Sequence, residues 1–121
     1  MDITIFDSLE SAADTSKVDF IAVLKYRTTE HGDRTTAAAS GYRPQVKFDF
    51  AEKQTSGAQY FINKELVFPG ERVDAAIKVV AVDFFKNALT EGMEFEFCEG
   101  AVIVGVGKIK QIVNPELQRI S

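Results

Sequence analysis

The sequence predicts an all-β protein, an antiparallel barrel or sandwich of roughly six strands. Two observations lead to this prediction. Apolar and charged residues alternate in several short segments, and turn-forming residues separate these segments at regular intervals. The chain has 121 residues, of which 45% are hydrophobic and 26% are charged. This composition is typical of one soluble globular domain that needs neither a metal nor a disulfide bond to fold.

The strand signal recurs along most of the chain, and each strand candidate stops at a turn residue or a change of pattern. The expected strands are Phe20–Tyr26, Val46–Phe50, Gln59–Ile62, Leu66–Phe68, Val73–Val79, Met93–Cys98 and Ala101–Val113. Their alternation places these side chains in the core: Val46, Phe48, Phe50, Val73, Ala75, Ile77, Val79, Met93, Phe95, Phe97, Val102, Val104 and Val106. Gly105 and Gly107 lie inside the last strand, where glycine indicates a bulge, a bend or close backbone approach.

One segment departs from the strand pattern. Asp83 is a residue type that caps helices, and Gly92 is a type that ends them. We therefore expect a short helical turn between these two residues, packed through Phe84, Phe85, Ala88 and Leu89.

The charge distribution divides the chain into two parts. Residues 1–16 contain four acidic residues and no basic one, so they account for the whole net charge of −4. We expect residues 1–17 to form an acidic arm or an extra strand, and residues 18–121 to form the β-domain. The first residues lack the basic and apolar regions of a signal peptide, and no apolar run is long enough to span a membrane. These features predict a cytoplasmic protein without membrane association.

The residues that most often carry chemistry are sparse. His31 is the only histidine and lies in an expected turn, and Cys98 is the only cysteine, so a metal site or a nucleophile–base pair lacks partners. Gly105 and Gly107 lack the further glycine that a nucleotide-binding loop requires. We therefore expect no enzyme activity, no metal and no cofactor. Lys47, Lys108 and Lys110 come nearest to a basic feature, and such lysines are usually a solvated face.

Several segments of the sequence resemble the third domain of elongation factor Tu. Gly41–Gln45 reads GYRPQ, a segment that opens a strand in that domain. The resemblance continues in the same order through Val67–Val73, Glu91–Phe95 and Glu99–Gly107, and Thr28–Ser40 is similar to the stretch that precedes GYRPQ. Together these segments extend over residues 18 to 113. The resemblance implies a closed six-stranded antiparallel barrel with Greek-key-like connections, in a free-standing relative of that domain.

The same resemblance also identifies family motifs that this sequence lacks. In the family, GTP is hydrolysed by the first domain, and the third domain contacts aminoacyl-tRNA and the nucleotide exchange factor. The stretch Asn63–Leu66 ends in leucine where the guanine-reading motif has aspartate, so GTP binding is not expected. Asp49, Cys98 and Val102 stand where the family has arginines near tRNA. Loss of these arginines removes phosphate contacts.

These observations predict a non-enzymatic binding module whose partner is a protein linked to translation. A role in mimicking the elongation factor, of the antitoxin or immunity type, belongs to this hypothesis, and a tRNA-binding accessory protein is the alternative. The candidate binding residues are Arg43, Gln45, Lys47, Gly100, Lys108 and Lys110. Two interpretations of this set remain open: the Arg43 guanidinium ties neighbouring loops together, or Gln45 contacts the partner with Lys47, Lys108 and Lys110.

Overall fold

A computed structural model describes residues 18–28, 37–51 and 54–120. The expected acidic arm of residues 1–17 and the turn at His31 lie outside these described residues. No helix in the described part of the chain has the length and apolar content needed to cross a membrane.

The described residues form eight strands, and six of these strands close into an antiparallel barrel. The strands are β1 (Phe20–Tyr26), β2 (Ala38–Ala39), β3 (Gln45–Lys47), β4 (Thr55–Phe61), β5 (Leu66–Val67), β6 (Arg72–Val79), β7 (Glu94–Glu99) and β8 (Val102–Ile112). The order around the barrel is β1-β6-β4-β3-β7-β8, with β8 pairing back onto β1. Many neighbours in the barrel are distant in sequence, as in Greek-key connections. The predicted fold class is therefore confirmed.

The two shortest strands lie outside the barrel ladder. Ala38 pairs with Val67 and Ala39 with Leu66, so β2 and β5 form a separate two-stranded antiparallel sheet. The expected strand at Leu66–Phe68 thus exists, but it does not belong to the barrel.

The expected helical turn at Asp83 is shorter and starts differently. A 3-10 helix spans Val82–Phe85, its N-cap residue is Ala81, and no side chain caps it. Phe85 is fully buried and holds the segment against the core. The prediction that Asp83 caps the turn is wrong. Burial of an aromatic side chain, rather than a capping hydrogen bond, anchors the segment.

The C-terminal segment packs against the segment that follows the 3-10 helix. The Leu89 N–H donates to the Leu117 carbonyl at 2.8 Å, and the Arg119 N–H donates to the Leu89 carbonyl at 2.8 Å. Leu89 and Leu117 are fully buried beneath these bonds. The core therefore extends past β8 into the last residues described.

Most of the predicted core residues are buried. Those confirmed are Val46, Phe48, Val73, Ala75, Ile77, Val79, Phe95, Phe97 and Val104, while Met93 and Val102 are half-buried. The prediction that Phe50 and Val106 lie in the core is wrong, because 47% of Phe50 and 44% of Val106 are exposed. At Phe50 the alternation has already ended, since β3 stops at Lys47 and a turn follows in which the Ala51 N–H donates to the Phe48 carbonyl.

Val106 faces outward because β8 contains a bulge. Phe97 pairs with Gly105, but the next residue, Cys98, pairs with Ile103, which leaves Val104 as an extra residue. The alternation changes phase at this point, so Gly105, Gly107 and Ile109 are buried. A Cβ atom added to Gly105 or Gly107 would collide with a phenylalanine ring on β7. The two glycines therefore make room for Phe97 and Phe95, their cross-strand partners.

Candidate binding surface

Two of the segments that carry the sequence resemblance meet at one end of the barrel. The Tyr42 hydroxyl donates a hydrogen bond to the Glu99 carboxylate, 57 residues away in sequence. Gly41 and Gly100, beside these two residues, have φ of +96° and +60°, a backbone conformation that glycine adopts without strain. The turn after β7 is thereby held against the segment that leads into β3.

Arg43 lies next to this contact and is exposed. It lines an open cleft of about 380 Å³, together with Tyr60, Lys78 and Val80. Within the part of the chain that the structure describes, no hydrogen bond or ion pair involves the Arg43 guanidinium, and the neighbouring segments are joined by Tyr42 and Glu99 instead. This guanidinium is available for an external ligand.

Gln45 has a different environment. It is half-buried on β3, between Ser56 of β4 and Cys98 of β7. Its side-chain amide donates to the Ser56 hydroxyl at 3.2 Å. This bond gives Gln45 a role in joining β3 to β4.

The three predicted lysines do not form one basic patch. Lys47 lies on β3, whereas Lys108 and Lys110 lie on β8, and β7 separates the two strands. Lys47 stands opposite Glu96 and Lys108 opposite Glu94 in the strand register. Lys110 forms an ion pair of 2.9 Å with Asp74 of β6. Each lysine therefore has a carboxylate as a near neighbour, and the surface has mixed charge.

Cys98 lacks the properties of a catalytic nucleophile. Its side chain is buried, with 5% of the residue exposed. Burial raises the pKa of the thiol, and the nearby Glu96 carboxylate raises it further, while Lys47 acts in the opposite direction. A reactive thiolate requires the reverse, a lowered pKa. Among the residues that the structure describes, no group of three or more His, Cys, Asp or Glu side chains is arranged to hold a metal.

A second cleft, which the sequence reasoning did not find, lies on the outer side of the barrel. It has a volume of about 310 Å³ and its lining includes Val23, Lys25, Arg72, Val106 and Lys108. Lys25 and Arg72 were recognisable from strand alternation, because both lie at outward positions of apolar strands. Val106 was not, since the bulge that turns it outward leaves no signal in the pattern.

No model of a known protein family matches the chain. The fold and the surface are therefore the basis for an assignment of function, and fold alone does not define one.

Proposed function

We propose that the protein is a non-enzymatic binding module related to the third domain of elongation factor Tu, and that its partner is a protein linked to translation. The observation that carries the proposal is the contact between Tyr42 and Glu99, which brings the GYRPQ segment and the Glu99–Gly100 turn together beside the exposed Arg43. The closed barrel of six strands is the fold that the resemblance implies.

The distribution of charge favours a protein partner over RNA. Phosphate neutralisation by clustered Lys and Arg supplies most of the affinity for nucleic acid. Here Lys47 and Lys108 stand opposite glutamates, and Lys110 is paired with Asp74. The glutamates of this surface repel the phosphates of RNA. A protein surface with the complementary arrangement of charges is instead attracted to it.

The cleft beside Arg43 supplies the recognition element. Arginine is enriched at the energetically dominant positions of protein interfaces, because its guanidinium combines five donors with a flat apolar face. Tyr60 and Val80 provide apolar surface next to it, and 70% of Val80 is exposed. We infer that an acidic or carbonyl-bearing loop of the partner binds at Arg43.

The proposal is tested by affinity capture from cell lysate with three proteins: the wild type, Arg43→Glu and Lys86→Glu. Lys86 is an exposed cation that does not line the Arg43 cleft, so it is the control for charge reversal. We expect a translation protein to be captured by the wild type and Lys86→Glu, and lost with Arg43→Glu. Equal capture by all three would place the binding surface elsewhere.

The same capture tests mimicry of the elongation factor. If the module occupies a surface that normally binds the factor, an excess of the isolated third domain of elongation factor Tu displaces the captured protein. Aminoacyl-tRNA serves as the second probe. We expect binding no tighter than the non-specific range of about 10⁻⁴–10⁻⁶ M. Tight binding that falls steeply with salt would instead support the alternative, a tRNA-binding protein.

A further inference from the structure

The outer face of β4 and β6 carries two basic side chains, one on either side of an alanine. Ala58 of β4 pairs with Lys78 of β6. Its neighbour on the other side is Arg43, one residue beyond the bridged pair Tyr42 and Gln59. Both basic residues are exposed, and both line the cleft of about 380 Å³. Among the described residues that line this cleft, none is acidic, so its charge is positive.

Val18, the first described residue, lies at the edge of this cleft. It is 2% exposed and packs with Ala76 and Tyr60 in a small apolar cluster on the outer side of the barrel. Tyr60 also lines the cleft. The residues that precede Val18 therefore join the barrel directly beside the two basic side chains.

We propose that residues 1–16 dock in the cleft beside Arg43 of their own chain. We call these residues the acidic segment. It contains four acidic residues and no basic one: Asp2, Asp7, Glu10 and Asp14. Its charge is thus complementary to that of Arg43 and Lys78. The docking goes beyond the proposed function, because it concerns the free protein and requires no partner.

The cleft also offers apolar surface to the acidic segment. Tyr60 and Val80 line it, and 70% of Val80 is exposed. Between its carboxylates the acidic segment carries apolar side chains, which include Ile3, Ile5 and Leu9. Burial of apolar surface stabilises a contact by about 25 cal/mol per Å², so these side chains add to the attraction between the charges.

The attachment of the acidic segment at Val18 favours this contact. Asp14 precedes Val18 by four residues and Glu10 by eight. An extended chain spans about 3.3 Å per residue, and neighbouring strands lie about 4.8 Å apart. Asp14 is thus within reach of Lys78, and Glu10 within reach of Arg43. A tethered ligand meets its site at an effective concentration in the millimolar range, so even a weak contact is populated.

Paramagnetic broadening of amide signals in the full chain tests the docking. A nitroxide is attached at Ser8→Cys in a Cys98→Ala background, because Cys98 is the only native cysteine. We expect strong broadening at Ala58 and Val80 in the cleft. The amide of Val106 is expected to stay sharp, because β8 lies across the barrel from β4.

Charge reversal identifies the contact. Arg43→Glu combined with Lys78→Glu is expected to abolish the broadening in the cleft, and added salt is expected to weaken it. Lys108→Glu is the matched control, because Lys108 is an exposed cation on β8 outside this cleft. The dispersion of the amide signals confirms that each variant is folded. Broadening that survives the double reversal, or that falls equally with Lys108→Glu, would overturn the proposal.

A mixture of two labelled chains determines which copy supplies the acidic segment. One chain carries the nitroxide and the other carries only the isotope label, so broadening in the mixture reports contacts between copies. We expect none. Broadening of the cleft signals in the mixture as strong as in the singly labelled chain would refute docking within one chain.

One consequence depends on the proposed function. If a partner also binds at Arg43, the acidic segment competes with it. A full chain in which Asp7→Asn, Glu10→Gln and Asp14→Asn are combined is then expected to bind the partner about twofold more tightly, if the segment is docked half of the time. Unchanged binding by this variant, with the broadening of the wild type intact, would contradict the use of the cleft by a partner and not the docking.

Discussion

The Asp19 carboxylate accepts a hydrogen bond of 3.0 Å from the side-chain amide of Asn114, 95 residues further along the chain. Its second oxygen accepts the Val79 N–H at 2.8 Å, and the Asp19 carbonyl accepts the Val113 and Asn114 N–H groups. With 3% of the residue exposed, Asp19 joins the start of β1, the end of β6 and the segment after β8 at one point.

Replacement of this carboxylate is expected to destabilise the barrel strongly. Asp19→Ala leaves the Val79 N–H and the Asn114 amide without their acceptors in a buried site, which costs about 3 kcal/mol. Asp74→Ala is the control, because Asp74 pairs with Lys110 at the surface, where such pairs contribute at most about 1 kcal/mol. Urea denaturation measures both. Equal losses from the two variants would contradict the role assigned to Asp19.

The glycines of β8 provide a prediction about packing. Gly107→Ala forces its Cβ atom into the Phe95 ring and costs about 1–3 kcal/mol. Gly105→Ala is expected to cost more, because its Cβ meets the Phe97 ring and also the Lys25 carbonyl oxygen at 2.6 Å.

A double-mutant cycle separates the two sites. Phe95→Leu removes the ring that opposes Gly107, so its effect and that of Gly107→Ala are expected to be strongly coupled. Phe97→Leu relieves only part of the strain at Gly105, since the backbone oxygen of Lys25 cannot withdraw. Full relief of Gly105→Ala by Phe97→Leu would show that the backbone contact is unimportant.

The Glu71 carboxylate is expected to contribute stability that depends on pH in the acid range. It accepts the Phe68 N–H at 2.9 Å, and this bond, with a smaller contribution from Lys64, lowers the pKa of Glu71 below its ordinary value of 4.5. The contribution is present above the ordinary pKa and is lost as the pH falls through the lower folded value.

Glu71→Gln tests this by urea denaturation across the acid range. The stability difference between wild type and variant is expected to be largest near neutral pH and to shrink in acid. Glu65→Gln, a neighbouring exposed glutamate, is the control. A difference that is constant with pH would exclude ionisation of Glu71 as its source.

The Cys98 thiol is expected to titrate above its ordinary value of 9.0, because burial and the Glu96 carboxylate raise its pKa. Its contribution to stability is complete below the ordinary pKa and is lost as the pH rises through the higher folded pKa. The stability difference between the wild type and Cys98→Ala should therefore decline only in strongly alkaline solution.

Thiol reactivity provides a second measurement on the folded protein. Glu96→Gln removes a negative charge near Cys98, so its thiol is expected to react faster with a disulfide reagent at mildly alkaline pH. Glu94→Gln changes another carboxylate of the same strand and is the matched control. Equal rates for the two variants would mean that access, rather than charge, limits the reaction.

The strands were predictable because their signal is local. The predicted bounds of the first strand, Phe20–Tyr26, are those of β1, and Ala101–Val113 differs from β8 by one residue at each end. Side chains alternate about a strand wherever it lies, so burial on one face marks the sequence directly. Most of the predicted core followed from this rule.

The errors arose where a bulge, a local turn or tertiary packing overrides that rule. Val106 and Phe50 are apolar at positions that continue the alternation, yet a bulge turns the first outward and a turn exposes the second. The bulge depends on how β8 pairs with β7, which a pattern within β8 does not encode. Asp83 likewise has a capping side chain, but burial of Phe85 holds that segment.

The residues of the candidate surface were likewise only partly predictable from the sequence. From the sequence alone came the all-β class, most strand bounds and the outward direction of Lys47. The bulge in β8 decided the direction of Lys108 and Lys110, because alternation from a buried Val106 places both inward. Only the tertiary structure decided which residues are neighbours: Glu96 beside Lys47, Glu94 beside Lys108, and Tyr42 bonded to Glu99. Alternation within a strand decides which way a side chain faces, whereas the register between strands distant in sequence decides what stands next to it.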